Sequence, residues 1–192
     1  MKICREINYE DFGITEETGW TVSYDWKKLN AFLKKLGIIV NIFLACCLAI
    51  LVNTVFKEEY KVITILLSVA ISVFIFLFVL TPIHEILHLI PMAGFKFDDN
   101  CHILIGKATV SAFYAGEISK KQHCISLITP LLALGLILLV SIIFLSGVFQ
   151  MCAVFVLICH IGGCYTDIYM FFYINKNFPS KTIFYGNRYR TV

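Results

Sequence analysis

The segment His84-Glu85-Ile86-Leu87-His88 carries the residue types and spacing that point most directly to chemistry. Two histidines four residues apart stand one turn apart on one face of a helix, and the glutamate between them lies roughly 100° round the axis. Neutral imidazoles at that spacing suit Zn2+, which takes nitrogen and oxygen ligands and, in catalytic centres, keeps one position for water. Zinc lowers the pKa of that water toward ~7, and Glu85 is placed to take its proton. The bland alternative is a helix end just beyond a bilayer, with these polar side chains paired among themselves.

Such a centre needs a third protein ligand. Between Gln122 and Lys176 the only charged residue is Asp167. Counting rises along two antiparallel helices puts His84 about 33 Å from the start of one and Asp167 about 27 Å from the start of the other, so both reach a similar depth. Asp167 is therefore the candidate third ligand, or else a carboxylate that caps a helix break near Gly162-Gly163 or bonds a neighbouring helix. His160 lies seven residues before Asp167, about 10 Å along a regular helix, too far to share its metal. A supporting hydrogen bond or a simple interhelical one remains for it. A haem held by His88 and His160 is a separate alternative, and so is an inactive scaffold with a structural metal.

The elements that must position these residues are membrane spans. With 59% hydrophobic and 15% charged residues among 192, the chain cannot hide its apolar surface as a soluble globule. Apolar runs long enough to cross about 30 Å of hydrocarbon occur at about 36–56, 62–94, 123–147 and 149–174. The first and third contain no Asp, Glu, Lys or Arg. Residues 1–35 read as a polar lead-in ending in an amphipathic stretch, with Trp26, Leu29, Leu33 and Leu36 on one face. They lack the short apolar core of a cleavable signal. Residues 176–192 read as a basic, aromatic tail interrupted by Pro179 and Gly186.

The loop 95–122 is rich in β-branched and aromatic residues at 103–105 and 108–114, with Gly106-Lys107 suited to a two-residue turn. The expected architecture is thus an all-α polytopic membrane protein, with four transmembrane helices and a small cytoplasmic β-hairpin between helices 2 and 3. Lys and Arg gather before the first span, in the loop 95–122 and after residue 174, and are absent from the third connection. The positive-inside rule then puts both termini in the cytoplasm. A net charge of +3 gives no reason to expect a nucleic-acid partner. The expected partners are the lipid bilayer and a membrane-protein or peptide substrate. Eight cysteines contain no Cys-x-x-Cys pair, and most lie in spans, where Cys behaves as a small hydrophobe.

With these residues in hand, the chain resembles a bacterial family of zincin peptidases whose domain has no assigned function, and more distantly the site-2 proteases. The likeness covers about residues 78–192. It rests on His84-Glu85-x-x-His88, on Ala115-Gly116-Glu117-Ile118-Ser119-Lys120-Lys121-Gln122 with Pro130 following, and on Gly162-Gly163-Cys164-Tyr165-Thr166-Asp167-Ile168-Tyr169-Met170. Motif helix, intervening helix and aspartate-bearing helix come in the order seen in site-2 proteases, although the Asn-Pro-Asp-Gly context of their aspartate is absent here. The resemblance implies zinc held by His84, His88 and Asp167, with Glu85 as base, cutting peptide bonds in or near the membrane. An exposed strand at 108–114 would then hold an extended substrate by strand addition.

Overall fold

A computed structural model describes residues 2–4, 18–23, 26–56, 60–105 and 110–191. Four helical runs, Lys28–Phe56, Val62–Met92, Lys120–Phe144 and Gly147–Asn177, are long and apolar enough to cross a membrane. Helix is the form these sequences require, because only a helix satisfies every backbone N–H and C=O within one segment in lipid. Within the runs lie α1 (Trp26–Leu51), α2 (Val62–Ile75), α3 (Thr81–Met92), α4 (Lys120–Phe144), α5 (Gly147–Gly163) and α6 (Tyr165–Asn177). π-helical turns at Val52–Phe56 and Phe76–Leu80 extend α1 and join α2 to α3.

The structure departs from the sequence expectation in three places. The amphipathic stretch that ends the expected polar lead-in is the start of α1, continuous with the first span, with Leu29 and Leu33 buried. The second run stops at Met92, where Gly94 and Phe95 both take left-handed backbone angles, φ 60° and 65°. The all-α description holds for the spans alone: seven short strands form two sheets among the described residues. They are β1 (Lys2–Cys4), β2 (Thr21–Val22), β3 (Cys101–Ile105), β4 (Val110–Tyr114), β5 (Ile118–Ser119), β6 (Thr182–Tyr185) and β7 (Arg188–Thr191). Apart from β3 and β4, which fall in the expected hairpin, strands of two to four residues leave too few alternating positions for a sequence pattern to register.

The chain divides into two compact units. The first takes in Met1–Leu29, Ile83–Pro130 and Asp167–Val192. Its three-stranded sheet has the order β1-β3-β4, with β1 parallel to β3 and β3 antiparallel to β4, Ile103 opposite Ala112. The expected Gly106-Lys107 turn lies outside the described residues. Its four-stranded sheet has the order β2-β7-β6-β5. Ile118, Cys124, Leu127, Ile174, Phe178 and Phe184 form one apolar cluster, and Trp20, Phe113, Ala115 and Tyr185 form another. Leu89 of α3, fully buried, packs on Cys101 and Ile103 of β3. Burying such a side chain contributes about 1.5–3 kcal/mol and fixes the roll of α3 against the sheet.

The second unit takes in Asn30–Pro82 and Leu131–Thr166. Phe56, Ile65, Met151 and Phe155 form its buried cluster, and the Ser72 hydroxyl, also buried, donates to the carbonyls of Ser68 at 2.6 Å and Cys152 at 3.2 Å. Small residues permit close packing here. A Cβ added at Gly162 would come within 2.5 Å of Leu44 Cδ1, and one at Gly163 within 2.9 Å of Phe76 Cζ.

Candidate metal centre

Four elements supply the groups of the site, all from residues of the first unit. α3 presents His84 and His88 on one face, with His88, Leu89 and Pro91 buried. α6 supplies Asp167 in its first turn. That first turn exists because the last helical run is interrupted at Cys164, directly after Gly162-Gly163, so α6 has an N-terminus of its own. The N-terminal end of a helix favours a carboxylate. α4 supplies the backbone carbonyl of Ser126, and β4 the backbone N–H of Ala112.

The four residues predicted for the site come together. His84 Nε2 lies 3.0 Å from Asp167 Oδ2 and 3.1 Å from His88 Nε2, and His88 Nε2 lies 3.7 Å from Asp167 Oδ1. The imidazole planes meet edge to face at 82°, with ring centroids 4.8 Å apart. Side-chain exposures of 13%, 9% and 15% for His84, His88 and Asp167 leave the cluster mostly enclosed. Glu85 Oε2 accepts a 2.7 Å hydrogen bond from Ala112 N–H. The ligand atoms of His84, Glu85 and His88 also fall within 4.8 Å of one another, so two carboxylates lie near the same imidazoles. The hydrogen bonds separate them: Asp167 is turned onto the histidines, and Glu85 is held toward the strand.

The donor set fits a divalent cation. Ser126 O, 2.8 Å from His88 Nδ1, can only accept, so Nδ1 donates and the neutral ring keeps a bare lone pair on Nε2. That lone pair faces His84 Nε2 and the Asp167 carboxylate. His84 Nε2 can bring at most one hydrogen to these two neighbours. Three atoms with electron pairs thus crowd around a point that holds at most one ring proton between them. Two imidazole nitrogens and a carboxylate oxygen are the ligand types zinc takes.

Asp167 is also a candidate helix cap by sequence, but its hydrogen bond goes to His84 instead of to a backbone N–H at the helix start. His160 lies in the second unit, fully buried, with its ring nitrogens 3.8 and 3.9 Å from Cys164 Sγ. The sequence reading missed Ser126 and Ala112, which act through backbone atoms that their residue types do not advertise.

Residues 77–182 match the family described as "Putative zincin peptidase". No curated protein and no solved structure is significantly similar to the chain. The matched stretch covers more than half of the 192 residues and includes His84, Glu85, His88, Ala112, Ser126 and Asp167. The chain belongs to that family.

Proposed function

We propose that the protein is a zinc-dependent endopeptidase that cuts peptide bonds of membrane proteins in or near the bilayer. His84, His88 and Asp167 would hold the ion and Glu85 would act as general base. The observation that carries this reading is the convergence of His84 Nε2, His88 Nε2 and the Asp167 carboxylate within 3.0 to 3.7 Å, from two helices about 80 residues apart in the chain.

Zinc bound there would polarise the scissile carbonyl and make an attacking water more acidic. The remaining roles fall to the chain. His84, His88 and Asp167 fix the position at which the carbonyl must present itself. Glu85 takes a proton from the attacking water at its carboxylate and hands it to the departing amide nitrogen. The low exposure of the cluster strengthens each of these electrostatic contacts by excluding bulk water.

β4 supports a mode of substrate binding. Among the described residues it is an edge strand of its sheet, and Ala112 N–H points to Glu85, away from β3. By antiparallel alternation, Val110, Ala112 and Tyr114 turn their N–H and C=O groups to the edge away from β3, next to the motif helix. An unwound membrane segment added there as a strand would run past Glu85.

Metal analysis of the purified protein tests the centre. Wild type should carry close to one zinc per chain, and His88→Ala and Asp167→Ala should each lose it. Zinc retained in Asp167→Ala would remove that residue from the ligand set, and a visible haem band in place of zinc would overturn the proposal. The peptidase activity is read by comparing membrane-protein fragments in cells expressing wild type or Glu85→Gln. Identical fragment patterns would argue for a metal-bearing scaffold instead.

A further inference from the structure

The carbonyl that orients His88 is available because of a proline. In a regular α-helix, Ser126 O accepts from the N–H of residue 130, and residue 130 is Pro130, inside α4. Proline has no N–H, and its ring crowds the carbonyl four residues back and tilts it away from the helix. Ser126 O instead accepts from His88 Nδ1 at 2.8 Å. Ser126 is completely buried and Pro130 is among the fully buried side chains, so bulk water does not reach this part of α4. A carbonyl freed in such surroundings needs a partner from the protein, and His88 supplies one.

The direction of the bond matters for the site. An isolated neutral histidine has two tautomers, and a ring that must offer Nε2 to a metal needs its hydrogen on Nδ1. A carbonyl at Nδ1 selects that form.

We propose that Pro130 is a positioning residue for the candidate metal centre: it releases the Ser126 carbonyl from its helix so that the carbonyl holds His88 with Nε2 facing His84 and Asp167. This rests on the reading of His88 as a ligand. The mechanism has two parts, the missing donor and the push of the ring, and they can be separated.

The test uses full-length protein in micelles with ring-15N histidine, prepared metal-free at mildly alkaline pH, with the His88 signals assigned by their loss in His88→Gln. Wild type should show His88 protonated on Nδ1. In Pro130→Ala the new N–H at residue 130 competes for Ser126 O, so His88 should become a mixture of tautomers, and zinc affinity should fall by about 10- to 100-fold, the range for losing such a partner. Replacing residue 130 with the α-hydroxy analogue of alanine gives an ester with no N–H, and should restore both the tautomer and most of the affinity. A purely structural proline would change thermal stability and leave the tautomer untouched.

His88 protonated on Nε2 in wild type would overturn the proposal. So would an unchanged tautomer in Pro130→Ala, or an ester that behaves like alanine. The tautomer is read without metal, so a wild type that binds no zinc would defeat the ligand reading, while the effect of Pro130 on the His88 ring would still be measured.

Discussion

Glu85 and Asp167 are both carboxylates beside the same imidazoles, and what each is bonded to sets what it can do. Asp167 offers Oδ2 and Oδ1 to the two histidines, whereas Glu85 is tied by one oxygen to the Ala112 N–H. Glu85→Gln keeps the size and hydrogen-bonding shape but cannot take a proton. It should retain zinc and slow hydrolysis by about 10²- to 10⁴-fold, the usual contribution of a positioned base, as measured by turnover of an identified substrate. An equal loss of zinc would instead make Glu85 a ligand. The histidines and the aspartate were legible in the sequence because ionisable side chains are costly in an apolar span and stand out there. The Ser126 carbonyl and the Ala112 N–H were not, since backbone groups exist at every position and only folding decides which are aimed inward.

The helices were legible because runs of some twenty apolar residues with few charges have one stable form in lipid. The sheets were harder to read, since β1, β2 and β5 offer only two or three residues each and their partners lie far along the chain. Packing between α3 and β3 turns this geometry into stability. Leu89→Ala removes a fully buried side chain from the contact with Cys101 and Ile103, and should destabilise the protein by about 2–5 kcal/mol in a denaturation experiment. Two proline substitutions in β4 should differ in kind. The Ser111 N–H faces β3 by the alternation that turns Ala112 outward, so Ser111→Pro breaks the ladder and lowers thermal stability. Ala112→Pro leaves the ladder intact and removes only the bond to Glu85, so it should cost less stability than Ser111→Pro while impairing cleavage. Equal loss of stability in the two variants would argue against this assignment of the strand's two edges.

At the level of the whole molecule, the pairing of distant strands constrains how the chain threads the bilayer. β1 lies against β3, and β2 against β7, so segments from the N-terminal region, the loop after α3 and the C-terminal region share the sheets of the first unit. Strands that hydrogen-bond to one another must lie on the same side of a membrane. Reporter fusions at the two ends should therefore give the same topology signal, cytoplasmic if the distribution of Lys and Arg governs insertion. Opposite signals would contradict the strand pairing. The same pairing carries a consequence for biosynthesis. A ribosome delivers His84 and His88 long before Asp167, and β2 waits without its partner until the final residues emerge. A nascent chain that stalls before residue 167 thus carries two of the three proposed metal ligands and has no carboxylate from α6 with which to complete the site.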